Sequence, residues 1–169
     1  MRSFVGAVPW FLPGVALWTV LGFLASKPLA RFLATKRVIA FGLLMSVGFI
    51  VFATLSPNAP SANTGVCDLS RLGIPSLTTL RYDYDAGANI VLFLPLGFML
   101  GLLPRTRRNV AIMLGAFSFT VLIELTQLLV TDLGRGCETA DMVDNTLGLA
   151  IGLTTGMVVT LIGRLTTRT

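Results

Sequence analysis

Residues 124–148 read ELTQLLVTDLGRGCETADMVDNTLG. The stretch opens inside an apolar run that holds a glutamate, Glu124, and a glutamine, Gln127. A short polar connection with Arg135, Cys137, Glu138 and Asp141 follows, and a second apolar run then begins at Asp144 and Asn145. Two long apolar runs joined by a brief polar turn read as two membrane-crossing helices. An ionisable group inside such a helix is costly, which makes Glu124 a functional suspect by default.

The same alternation extends outward through the chain. Apolar runs occupy 4–25, 38–55, 88–103, 110–130 and 144–162. Each approaches the roughly 20 residues needed to cross a hydrocarbon core ~30 Å thick. Backbone groups in lipid must be satisfied within the segment, and no alternating barrel pattern is present, so the runs are read as helices. The expected fold is therefore all-α: a polytopic helix bundle of five spans forming one integral membrane domain over residues 1–169. Composition agrees, with 54% hydrophobic and only 12% charged residues, against about a quarter charged in soluble domains. The net charge of +5 points to basic loops beside a lipid bilayer and not to nucleic acid. The first run starts near Arg2 and is too long, with no small-residue cleavage site after it, for a signal peptide.

Charge sets the topology. The connections after the first and third runs, and the tail after the fifth, hold Lys27, Arg31, Lys36, Arg37, Arg105, Arg107, Arg108, Arg164 and Arg168 without an acid. The opposite connections hold Asp68, Asp83, Asp85, Asp132, Glu138, Asp141 and Asp144, with Arg71, Arg81 and Arg135. By the positive-inside rule the N-terminus lies outside and the C-terminus in the cytoplasm. Cys67 and Cys137, the chain's two cysteines, then share the external side. A disulfide between the two outer loops is compatible with that compartment; two unpaired small residues are the alternative. The absence of histidine removes the commonest general base and the usual ligands of zinc, copper and haem, so no metal or cofactor is expected.

Glu124 lies six residues before Val130, roughly 9 Å below the outer end at 1.5 Å per residue. Gln127 is on the same face one turn further out. Pro95, in the third run, lies at similar depth, and Asn89 and Asn145 mark the outer starts of the third and fifth runs. Asn89, Pro95, Glu124, Gln127, Arg135, Glu138, Asp141 and Asn145 are thus expected in one polar cluster in the outer third of the membrane. The structural alternative is that the asparagines cap helices and Glu124 pairs with Arg135 to fasten the bundle. Gly97 and Gly101, and Gly148, Gly152 and Gly156, recur every fourth residue, a spacing that lets helix backbones approach closely.

Asn89-x3-Phe93-x-Pro95-x-Gly97, the Glu124-x2-Gln127 pair, and Arg135-x2-Glu138-x2-Asp141-x3-Asn145-x2-Gly148 together resemble the VanZ-like family of small bacterial membrane proteins. The resemblance spans residues 38–163. An Asn-aliphatic-Pro-Phe segment that relatives often carry before the third helix is not found in residues 56–88. The resemblance implies residence in the bacterial cytoplasmic membrane and an association with resistance to the glycopeptide teicoplanin. It does not imply a mechanism. Three functions fit the cluster. One is a non-enzymatic envelope protein that alters how an external glycopeptide reaches lipid-linked wall precursors. The second is an intramembrane enzyme on a lipid-linked substrate, with Glu124 as acid/base and Arg135 on an anionic head group. The third is a small proton-coupled transporter or flippase. The first is preferred: a D-x2-D pair is a weak catalytic signal, and five spans lack the internal repeat of autonomous transporters.

Overall fold

The computed structural model describes residues 11–57, 64–82 and 84–166. Five long helices dominate it: α1 (Phe11–Leu33), α2 (Arg37–Leu55), α4 (Tyr84–Gly101), α5 (Arg107–Leu129) and α6 (Thr139–Thr166). All five are long and apolar enough to cross a membrane. Between α2 and α4 lie a two-residue strand, β1 (Cys67–Asp68), and a short helix, α3 (Leu77–Tyr82). Between α5 and α6 lie a 3-10 turn (Thr131–Leu133) and β2 (Cys137–Glu138). The all-α bundle of five spans is as expected, but several boundaries move. Residues 4–10 of the first expected span lie outside the described residues, as does Arg168.

The first helix runs past residue 25 to Leu33, through Lys27, Pro28 and Arg31. Lys27 and Arg31 are exposed near its end, where long cationic side chains snorkel from lipid and complement the negative helix C-terminus. Charge there does not end the helix. Ala34 does, by adopting a left-handed φ of 52°, which lets the Thr35 N–H reach back to the Ala30 carbonyl at 3.0 Å. The last helix begins at Thr139 and not at residue 144. Acidic residues suit a helix N-terminus, so Asp141 occupies its first turn and the expected loop 131–143 is shorter.

The central seam is α4 against α6. A Cβ added to Gly148 would strike the Ile90 carbonyl, one on Gly152 the Leu94 carbonyl, and one on Gly156 the Phe98 carbonyl. From the other side, Gly97 abuts the Leu149 carbonyl and Gly101 the Leu153 carbonyl. Partners advance together in sequence, so the two helices run parallel in constant register, backbone on backbone. Phe93, Leu96, Leu100, Ile123 and Leu149 form the core beside this seam, with Leu43 and Ile50 of α2. Helix α1 packs on α2 by seating the Trp18 indole over Gly48, and the indole N–H donates to the Leu44 carbonyl at 2.6 Å. Leu17, Val20, Leu21, Phe23 and Leu24 of α1 remain exposed, a face suited to lipid. At the basic end Arg37 binds back to α1, donating to Ser26 Oγ at 2.9 Å and the Phe23 carbonyl at 3.0 Å.

Candidate functional site

Helix order sends the C-terminus of α2, the N-terminus of α4, the C-terminus of α5 and the N-terminus of α6 to one end of the bundle. Among the described residues every acid lies at or near that end: Asp68, Asp85, Glu124, Asp132, Glu138, Asp141 and Asp144. The long α2–α4 connection and the α5–α6 connection are tied together there. β1 and β2 pair in parallel, with Cys67 opposite Cys137 and Asp68 opposite Glu138. A disulfide joins the two cysteines. The Thr139 hydroxyl donates to the Asp68 and Arg71 carbonyls at 3.2 and 2.9 Å, fixing the start of α6 to the same connection.

Beneath this cap Glu124 is 1% exposed. Its Oε2 accepts the main-chain N–H of Glu138 at 2.8 Å, one residue from the disulfide. Gln127, on the same face of α5, donates to the Thr54 carbonyl at 2.9 Å. Arg135 folds inward and donates through Nη2 to the Ala53 carbonyl at 3.0 Å. Ala53 and Thr54 belong to the last turn of α2, whose carbonyls have no partner within the helix. Gln127 and Arg135 therefore cap a neighbouring helix, and a guanidinium is well matched to that negative end. Burial pushes the Arg135 pKa down from its ordinary value, and the Asp141, Glu124 and Asp85 carboxylates oppose that shift. Its Nε is buried without a partner among the described residues.

Asp141, Asp144, Asn145 and Gly148 stand at i, i+3, i+4 and i+7 on α6 and share one face. Gly148 turns that face to α4. Asp144 is 0% exposed and forms a two-point ion pair with Arg71, Nη1 to Oδ1 at 3.1 Å and Nη2 to Oδ2. Asn145 is 1% exposed, with Oδ1 buried and unpartnered among the described residues. Asp141 and Glu138 are half-buried above it.

Of the expected cluster, the structure gathers Glu124, Gln127, Arg135, Glu138, Asp141 and Asn145 at this end. Asn89 is half-buried on the adjacent turn of α4. Pro95 does not join: it is exposed on the far side of α4 from buried Phe93, Leu96 and Gly97. Depth along an axis fixes a residue's height and not its face. Arg71, Asp144 and the α2 carbonyls were not among the expected members. For Arg71 no local signal exists, since its partner lies 73 residues away. Asp144 could have been found from its place one turn after Asp141.

Chemically the arrangement is a pair of half-buried carboxylates, Glu138 and Asp141, beside a buried ion pair and a carboxylate held by backbone. Among the described residues no cluster of three or more metal-ligating side chains has a metal-binding arrangement. A family model described as VanZ/LLP1 matches residues 50–161. No curated protein and no solved structure matches the chain.

Proposed function

The chain belongs to the VanZ/LLP1 family, and from that premise we propose that it is an envelope protein of the bacterial cytoplasmic membrane that binds an external polar molecule without transforming it. The ligand class is a glycopeptide of the teicoplanin kind, or the lipid-linked wall precursor whose access such an antibiotic seeks. The acidic end faces outward in this proposal, with the N-terminus outside and the C-terminus in the cytoplasm, following the basic residues at the other end. A C-terminal reporter active only outside the cytoplasm would overturn that orientation.

One observation carries the non-catalytic choice. The polar groups are already spent on main chain: Glu124 on the Glu138 N–H, Gln127 on the Thr54 carbonyl, Arg135 on the Ala53 carbonyl. Groups so engaged make a rigid, preformed frame beneath the less buried Glu138 and Asp141. A general acid or base must instead reach a reacting atom and exchange its proton. The half-buried Glu138 and Asp141 side chains lie above this frame, where they can meet donors of an amide- or hydroxyl-bearing ligand.

The test compares wild-type protein with Glu124→Gln. Each is purified and incubated with a membrane lipid extract, and products are followed by mass spectrometry; in parallel, cells carrying each are titrated with teicoplanin. Unchanged lipids with both proteins, and tolerance lost in the variant, are expected. Lipid turnover by wild type that the variant loses would replace binding with intramembrane catalysis. Full tolerance in a normally folded variant would remove Glu124 from the site.

A further inference from the structure

A second site lies at the opposite end of the molecule. Where α4 ends at Gly101 and α6 runs on past it to Thr166, a groove of about 350 Å³ opens between them. Its walls include Leu103, Met157, Val158 and Leu161, and its rim carries Arg105, just past α4, and Arg164, in the last turn of α6. The geometry points to a seat for one anionic diacyl phospholipid, with its phosphate between Arg105 and Arg164 and an acyl chain along the apolar wall.

Charge complementarity selects the occupant. Lys27, Arg31, Lys36, Arg37, Arg105, Arg107, Arg108 and Arg164 gather at this end, and among the described residues no acid accompanies them. Arg105 and Arg164 are the two arginines on the groove itself. Apolar walls beneath a basic rim, at the depth where helix ends meet head groups, match a lipid's own division into chain and phosphate. A soluble anion would use the rim and leave the wall idle. The site lies across the bilayer from the acidic cluster and stands independently of the function proposed for it.

The test uses the full-length protein purified in detergent. Native mass spectrometry follows retention of phosphatidylglycerol, of phosphatidylcholine with the same chains, and of inorganic phosphate. Phosphatidylglycerol is expected to be retained one per protein, well above phosphatidylcholine, with free phosphate failing to displace it. Removing both rim charges in Arg105→Gln/Arg164→Gln is expected to weaken retention by about 30-fold. Arg31→Gln/Arg107→Gln, with the same net charge but off the groove, is expected to stay within about threefold of wild type. Val158→Trp fills the groove without changing charge and is expected to weaken retention as well; Val158 is exposed, so the fold tolerates it. Val158→Trp carries the decision if the double variant loses helicity. Equal weakening by the off-groove pair, displacement by free phosphate, or full retention by Val158→Trp would each overturn the seat.

Discussion

Gly152→Ala adds one methyl group at one of the tightest points of the α4–α6 seam. The new Cβ would run into the Leu94 carbonyl oxygen and stand 2.8 Å from the Phe98 main-chain nitrogen. Ordinary contact needs about 3.5 Å or more, so the helices must separate by roughly 1 Å. Both obstacles are backbone, and no rotamer change relieves them. A gap of that size forfeits a quarter to a half of the dispersion well along the seam, which includes the packing of buried Leu149 and Phe93. The expected cost is about 3 kcal/mol, the upper part of the range for overpacking. The same substitution at Gly115 meets nothing within 4 Å. There it should be neutral or stabilise by up to about 1 kcal/mol, through the higher helix propensity of alanine. Unfolding by sodium dodecyl sulfate in mixed micelles, followed by circular dichroism, measures both. Equal stability of Gly152→Ala and wild type would refute backbone contact at this seam, and so would a Gly115→Ala variant as damaged as Gly152→Ala.

Further outcomes follow from the cap and the helix ends. Cys67→Ser removes a cross-link over 70 residues and should cost up to about 4 kcal/mol in the chain-entropy limit, with altered non-reducing gel mobility; an unchanged unfolding curve would deny the cap any role in stability. Arg71→Ala strands Asp144, which is 0% exposed, and should cost about 3–5 kcal/mol. Asp144→Asn should cost less, since the Arg71 side chain is 24% exposed and partly hydrated; the reverse order in the same titration would be inconsistent with this pair. Gln127→Leu leaves the Thr54 carbonyl without its donor and should cost about 1–3 kcal/mol. Ala34→Gly relieves a left-handed φ of 52° and should stabilise by about 1 kcal/mol; a loss of stability would contradict strain there.

The number and order of the spans are legible because lipid imposes length and apolarity on each. Their ends are less so. Lys27 and Arg31 look like loop residues to a charge count, yet their alkyl stems let a helix continue through them. Thr139 starts α6 because its hydroxyl meets two carbonyls of a distant connection, and no window around residue 139 contains that partner. The glycine spacing shows which faces come together, and the register of Gly148 on Ile90 adds that α4 and α6 run parallel. In the site, Glu124 and Gln127 stand out because polar groups are rare inside apolar runs. Pro95 shared their depth but not their face.

The long-range contacts give the polar cluster a structural role. Read from spacing alone, Glu124, Gln127 and Arg135 are loose chemical groups awaiting a substrate. In place, Gln127 and Arg135 close the C-terminus of α2, and Glu124 anchors the strand that carries the disulfide. A motif of this kind holds its form because helix ends in lipid must find partners, whatever the ligand. In the proposed binding role, specificity would rest on groups that the scaffold leaves less committed: the half-buried carboxylates of Glu138 and Asp141, with Asn145 Oδ1 and Arg135 Nε buried behind them. Substitutions at Gln127 should therefore be read out chiefly as stability. Substitutions at Glu138 and Asp141, which bury less, should be read out chiefly as ligand recognition.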